Sequence, residues 1–378
     1  MKKALLVTTV SGFVPQFEMN NVRILQQMGY EVHYASNYHM PSYGNDNSRL
    51  DGTGIIRHQV DFERSPFTLK NIAVYKQLKK VMEEEQFDLV HCHTPMGGAL
   101  ARIAAHNTKT GPVLYTAHGF HFFKGAPLVN WLCYYPVEKM LSHYTDVLIC
   151  INQEDYERAK KKFYAKQVIK IPGVGIDIKR IENIDVDRNK KREDLGIGKD
   201  QKVLLFVGEM TKNKNHRLII EAVAKLHDSS ITAVFCGHGQ EEQHLRELAK
   251  TLHVEEQIRF LGYRKDVLEI YKIADLFVFP SMREGLPVAL IEAMASGLAV
   301  VCSDIRGNRD LIEEGKGGIL IKGDSLEEYC KNIKMLKSND KERIKMGDFN
   351  KNKVAQFSID EVERVMYRIY SSFEFDGH

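Results

Sequence analysis

The chain has 378 residues, 43% of them apolar and 27% charged, with a mean hydropathy of −0.32. This excludes a disordered or membrane-embedded protein and exceeds what one hydrophobic core usually organises, so two domains are expected. A net charge of +3 is too small to suggest a nucleic-acid partner, and no basic stripe carries interleaved aromatics.

Met1-Lys2-Lys3 ahead of Ala4–Val10 superficially resembles an export signal. The apolar run is short, however, and turns at Ser11-Gly12 without a small-residue cleavage pattern, so it reads as a first buried strand, Ala4–Thr9. A helix over Gln16–Met28, strands over Glu31–Ala35 and Ile55–Val60 and a helix over Leu69–Glu85 follow by apolar spacing. Three more strands are expected at Leu89–His93, Val113–His118 and Val147–Ile151. Pro172-Gly173-Val174-Gly175 and the polar stretch behind it mark a linker over 176–201. A second series of strands then runs through Val203–Gly208, Thr232–Gly237, Ile258–Gly262, Leu276–Ser281, Leu298–Ser303 and Gly318–Ile321.

Short β-branched runs alternating with amphipathic stretches are the pattern of an α/β protein with parallel sheets. The expected plan is an N-terminal Rossmann-like domain over 1–175, a second over 202–355, and a segment 356–378 whose helix-like stretch Ile359–Ser372 has no partner strand and crosses back to the first domain. Ligands of open parallel sheets sit beyond the carboxyl ends of the strands, so the chemistry is expected in a cleft between the two domains. Cysteines at 92, 133, 150, 236, 302 and 330 show no C-x-x-C spacing, which reads as buried free thiols in a reducing, cytoplasmic compartment. No apolar run approaches the roughly 20 residues of a membrane-spanning helix.

The most informative segment runs from Pro280 to Gly297, through Ser281, Glu284, Gly285, Leu286, Pro287 and Glu292. Pro287 suits the first position of a helix and Gly297 its end. Gly285 lets a ligand approach the backbone, and the amides of this helix start suit a diphosphate. Glu284 and Glu292, seven residues apart between them, offer carboxylates to vicinal hydroxyls at two ends of an elongated ligand. Set between buried strands and preceded by Pro-Ser, this string resembles the signature of retaining nucleotide-sugar glycosyltransferases of family 4, which have the GT-B architecture of two Rossmann-like domains with parallel sheets facing a cleft.

The resemblance extends over essentially the whole chain. Ser11-Gly12-Phe13 is similar to the family's glycine-bearing loop near the donor phosphates, and Asp88–His93 and Thr116-Ala117-His118-Gly119 resemble two strand ends that border the cleft. Val207-Gly208-Glu209 through Lys214-Asn215 stands in the place of the phosphate-clamping loop, and Phe260–Arg264 in that of the segment cupping the base. Where the family usually has arginine after the glycine of the clamp this chain has Glu209, while Lys214 is present and Lys212 is available to compensate.

By resemblance the donor is a nucleotide sugar, expected to be a UDP-sugar, bound by Gly12, Gly208, Lys214, Arg264, Glu284, Gly285, Leu286, Pro287 and Glu292. His118 and Glu284 then serve the sugar, Glu292 the ribose, and a hexosyl or N-acetylhexosaminyl group passes with retention to a glycan or lipid-linked acceptor of bacterial surface polysaccharide synthesis. Neither a cofactor nor a metal is required, since Lys214, the amides around Gly12 and the helix start at Pro287 can stabilise the departing diphosphate. The acidic string Asp185-Val186-Asp187 falls in the linker, badly placed for a metal.

Three alternatives stay open. His91, His93, His118 and His121 suggest a metal-dependent hydrolase, weakened because no nearby carboxylate completes a ligand set. A nucleotide-sugar epimerase shares the architecture, and a non-enzymatic sugar-binding protein also uses two hinged domains. On the acceptor side Phe120, Phe122, Phe123, Leu128, Val129, Trp131, Leu132, Tyr134 and Tyr135 crowd one stretch with Lys124 and Lys139. Its ordinary role is packing into the core; exposed, it would dock peripherally on the inner face of the membrane.

Overall fold

The computed structural model describes residues 1–42 and 46–373. The chain divides into two compact units, one formed by Met1–Gly175 with Ile359–His378 and the other by Ile176–Ser358. Among the described residues the first unit holds seven parallel strands in the order β3-β2-β1-β4-β5-β6-β7. These are β1 (Lys3–Val10), β2 (Glu31–Asn37), β3 (Ile56–Gln59), β4 (Leu89–His93), β5 (Val113–Ala117), β6 (Val147–Cys150) and β7 (Gln167–Lys170). The second unit holds β8 (Lys202–Val207), β9 (Ile231–Cys236), β10 (Ile258–Gly262), β11 (Leu276–Phe279), β12 (Ala299–Ser303) and β13 (Gly318–Ile321), ordered β10-β9-β8-β11-β12-β13. In each sheet the order reverses at one place, between β1 and β4 and between β8 and β11. The loops that leave these strands therefore open at a switch point, where ligands of open parallel sheets bind.

Strands covered on both faces read as nearly continuous apolar runs, and β4, β5, β6, β11 and β12 are buried along their whole length. In the first unit Leu5, Val7, Val90, Cys92, Leu148 and Cys150 from the sheet meet Val74, Leu78, Met82, Ala101 and Ala105 from the helices Lys70–Glu85 and Pro95–Thr108. The edge strand β7 gave no such signal, because only Val168 and Ile169 are apolar and its polar ends face water. All six cysteines are free, and all but the half-buried Cys133 are buried. No helix among the described residues is long and apolar enough to cross a membrane.

Two expectations are corrected and a third, the packing of the aromatic stretch into the core, holds for Phe120, Phe122, Trp131, Tyr134 and Tyr135 but not for the outward residues. The helix over Gln16–Met28 is two helices, Phe13–Phe17 and Met19–Gln27, broken at Glu18 (φ −123°, ψ 7°), whose carboxyl turns into the interior. The stretch 176–201 is not a free linker but contributes the helices Ile178–Glu182 and Arg188–Asp194 to the second unit. Arg188 and Arg192 bond the Asp275 carboxylate at 2.8 and 2.7 Å, and Asp187 caps the second of these helices through the amides of Asn189 and Lys190. The helix Leu128–Leu141 buries only Glu138 and Leu141. Its aromatic side, Trp131 and Tyr135, covers Phe122, which turns Leu128, Val129, Leu132 and Met140 outward at 72, 60, 69 and 52% exposure.

The helix Ile359–Ser371 belongs to the first unit, where it packs on Met19–Gln27. Arg23 bonds Glu363 at 2.5 Å, and the buried Tyr370 hydroxyl lies 2.7 Å from His91 Nδ1. Residues 374–378 of the expected C-terminal segment lie outside the described residues.

Candidate active site

In the second unit the loops leaving β8 and β11 are joined side by side. Met282 donates its amide to the Asn213 carbonyl at 2.8 Å, and Asn213 Nδ2 donates to the Arg283 carbonyl at 3.0 Å. This brings Lys214 Nζ to 2.7 Å from Glu284 Oε1, with the ammonium also 5.1 Å over the Phe279 ring. Both groups are mostly shielded, so the pair is stronger than an ion pair on an open surface. Glu284 does not cap a helix; its backbone carbonyl takes a 3.1 Å bond from Arg306 Nε, and the backbone of Gly307 lies so close that a Cβ there would come 2.5 Å from the Gly285 carbonyl oxygen. A carboxylate beside an ammonium can hold sugar hydroxyls while the cation meets a phosphate.

Pro287 is the N-cap of the helix Val288–Ala295, one position earlier than expected, and its carbonyl accepts from Leu290 and Ile291 at 3.1 and 3.3 Å. The amides at the very start of the helix have no acceptor within it, as at any helix N-terminus. Gly297 ends the helix with φ +76°, a left-handed backbone that favours glycine, and Leu298 returns its amide to Ala293 at 3.0 Å. Glu292 is no ordinary solvated helix residue. Its Oε2 lies 3.1 Å from the Tyr271 hydroxyl, and burial pushes its carboxyl up to about 7.

Arg264 is committed locally. Its Nε and Nη2 both reach Asp266, at 2.7 and 2.6 Å, and hold that carboxyl well below the usual range. Tyr263 beside it is exposed. Gly208 follows β8 and Glu209 is exposed, as is Lys212, so the departure from the family pattern lies on the surface of the loop that leaves β8.

In the first unit Gly12 is glycine for a reason other than the one expected. Pro41 and Ser42 pass so close that a Cβ would lie 2.1 and 2.0 Å from their carbonyl oxygens, and the Gly12 amide is spent on Pro41 O at 2.7 Å. That amide is not available to a phosphate. The switch point here is occupied by Glu18, His93 and His118. Glu18 Oε1 lies 3.4 Å from His118 Nε2 and 3.5 Å from His93 Nδ1, and the two imidazoles are 3.2 Å apart. Phe13 meets the edge of His118 at 4.9 Å between ring centres. Burial pushes Glu18 up to about 8 and His118 down to about 4, so both are neutral at pH 7.

The sequence-based view that no carboxylate accompanies the histidines is thus corrected: Glu18, His93 and His118 place ligand atoms within 4.8 Å of one another. His91 stands behind them, bonded to Thr116 and Tyr370 at 2.8 and 2.7 Å, whereas His121 stacks on Tyr134. Thr94, directly after β4, has φ +64°, a conformation costing a β-branched residue on the order of 1–3 kcal/mol and held by Thr9 through a 2.8 Å bond. Neither Glu18 nor Thr94 carried a sequence signal, since each owes its place to neighbours more than 70 residues away.

Two family models match the chain, "Glycosyl transferases group 1" over residues 187–353 and "Glycosyl transferase 4-like" over 2–152. A protein of Bacillus subtilis (strain 168) with the provisional name glycosyltransferase EpsD is 39% identical over 382 residues, 98% of this chain and 97% of that one. The chain belongs to the family 4 glycosyltransferases. This glycosyltransferase is also 29% identical, over 70% of its length and 71% of the relative's, to the Escherichia coli enzyme named UDP-Gal:alpha-D-GlcNAc-diphosphoundecaprenol alpha-1,3-galactosyltransferase. Among solved structures, Anabaena Alr3699/HepE in complex with UDP matches with a TM-score of 0.80 at 20% identity, over 98% of this chain and 100% of that one. That likeness is one of fold: two Rossmann-like units in one chain, the GT-B class.

Proposed function

We propose that this glycosyltransferase moves a hexosyl or N-acetylhexosaminyl group from a UDP-sugar to a glycan or lipid-linked acceptor, with retention at the anomeric carbon, in the assembly of a bacterial surface polysaccharide. The observation that carries the proposal is the 2.7 Å Lys214–Glu284 pair beside the start of the helix Val288–Ala295. Breaking a sugar–phosphate bond builds negative charge on the departing diphosphate, and an ammonium with helix-start amides is suited to hold that charge without a metal. Glu284 accepts from sugar hydroxyls, Glu292 from the ribose, and His118 addresses the donor sugar. The acceptor hydroxyl attacks from the face the diphosphate leaves, passes its proton toward that leaving group, and no enzyme nucleophile intervenes.

The Anabaena protein has been solved with UDP-glucose, and the Escherichia coli relative is named for a UDP-sugar donor and a diphosphoundecaprenol acceptor, which supports the same classes here. A lipid-linked acceptor also gives a use to the outward Leu128, Val129 and Leu132, near the exposed Lys124. They form an apolar patch fit to rest on a bilayer, which supports the reading that the enzyme works at the cytoplasmic face of a membrane.

The test is a thermal-shift screen of UDP-glucose, UDP-galactose and UDP-N-acetylglucosamine, followed by UDP release with lipid-linked acceptors and NMR of the product anomer. A donor at 100 times its Kd stabilises by about 2.7 kcal/mol. Stabilisation by a UDP-sugar and an unchanged anomeric configuration are expected; no shift with any of them, or inversion, overturns the proposal.

A further inference from the structure

We propose that Tyr271 is a positioning residue for Glu292: its hydroxyl holds Oε2 of the carboxyl in place, so that Oε1 meets the ribose and the site selects a nucleotide carrying both ribose hydroxyls. This rests on the role given to Glu292 above and adds to it the group that aims the carboxylate.

Tyr271 stands on the helix Val267–Ile273 and is fully buried, its ring centre 5.8 Å from that of Phe277 on β11. Its hydroxyl lies 2.9 Å from the Ala289 carbonyl oxygen and 3.1 Å from Glu292 Oε2, both on the helix Val288–Ala295. Positions 289 and 292 are neighbours on one helix face, which is why a single hydroxyl reaches both. The contact survives either state of the carboxyl. An ionised Glu292 takes the tyrosine proton, because a charged oxygen is a stronger acceptor than a carbonyl that already serves an amide within its helix. A protonated Glu292 donates to the tyrosine oxygen while the tyrosine donates to Ala289.

The other carboxyl oxygen is left open. Glu292 as a residue is only half-buried, and among the described residues nothing bonds Oε1, which is not sealed from water. Arg180 attracts the carboxyl through space without a bond to it. One tied oxygen beside one open oxygen suits a pair of vicinal hydroxyls, since the open one has two lone pairs to offer. A glutamate released at Oε2 could swing about its side-chain torsions, and the entropy of ordering it would then fall on nucleotide binding. Tyr271 orders the carboxyl before the nucleotide arrives, which is preorganisation by a rigid aromatic side chain.

The experiment measures binding of UDP and of 2′,3′-dideoxy-UDP by titration calorimetry to wild type, Tyr271→Phe, Glu292→Ala and the double variant, with Tm as the check on folding. Phenylalanine keeps the ring on Phe277, and the Ala289 carbonyl it leaves behind still has its helix amide, so Tyr271→Phe retains the fold. Wild type is expected to bind UDP about 10- to 100-fold more tightly than the dideoxy form, the range for hydrogen bonds to a charged group. Tyr271→Phe is expected to weaken UDP about 3- to 10-fold and to leave the dideoxy form nearly as it was, so the ratio narrows by that factor. A merely structural tyrosine would weaken the two nucleotides alike and keep the ratio. Glu292→Ala is expected to bind both nucleotides equally, and adding Tyr271→Phe to it changes the ratio no further, because the tyrosine acts through the carboxyl. A Tyr271→Phe protein with the wild-type ratio, or an effect on the ratio that persists without Glu292, overturns the proposal. A Glu292→Ala protein that still discriminates as wild type does, or a wild type that binds no UDP, instead overturns the reading of Glu292 on which the proposal rests.

Discussion

Replacing Lys214 by Ala tests the site most directly. The ammonium lies 2.7 Å from Glu284 Oε1, with side-chain exposures of 21 and 12% for the two partners. Two unit charges 4 Å apart interact by about 4 kcal/mol at an effective dielectric of 20, which bounds what Lys214 can offer a departing diphosphate. Loss of one preorganised donor to developing negative charge costs about 2.7–4 kcal/mol, so kcat should fall about 10²- to 10³-fold. Stability should fall less. A fully buried pair broken on one side costs about 3–5 kcal/mol, and partial exposure here lowers that to about 1–2. For a unit of this size the loss corresponds to a Tm lower by roughly 2–8 °C. The double variant Lys214→Ala/Glu284→Ala should regain part of the stability and none of the activity, because it removes the unpaired carboxylate along with the pair. UDP release and calorimetry on wild type and the two variants measure both effects. A Lys214→Ala enzyme within threefold of wild-type kcat would refute the role of the cation.

Glu292 has a carboxyl raised to about 7, so its burial becomes costly as pH rises through that value. Glu292→Gln should therefore gain in Tm relative to wild type between pH 5 and pH 8; a difference that does not change with pH counts against a shielded carboxyl. On the helix Leu128–Leu141, Leu128→Ser/Leu132→Ser should abolish co-sedimentation with anionic vesicles while leaving Tm within about 1 °C, since both side chains are mostly in water. Equal binding by the double variant would move membrane docking to another surface.

Much of the fold was legible because parallel strands leave a local trace. Leu89–His93, Ile258–Gly262 and Gly318–Ile321 were bounded to the residue, and the string from Glu284 to Glu292 identified the family from one stretch of chain. The weak places were those where the local trace fails. Gln167–Lys170 is too short and polar to read as a strand, and residues 176–201 looked like a linker because their helices are held by arginines bonding Asp275 rather than by an apolar face. The aromatics of Leu128–Leu141 suggested a core helix, yet one side of it covers Phe122 and the other is left in water.

By itself the sequence determined the class of fold, the two strand series and the two carboxylates with seven residues between them, since each of these lies within one run of backbone whose period or spacing can be read directly. Only the tertiary structure decided that Lys214 pairs with Glu284 and that Glu18 sits between His93 and His118. Those contacts depend on β8 lying beside β11 and β1 beside β4. Strand order is a choice made by the packing of whole helices and sheets, and no spacing along the chain encodes it.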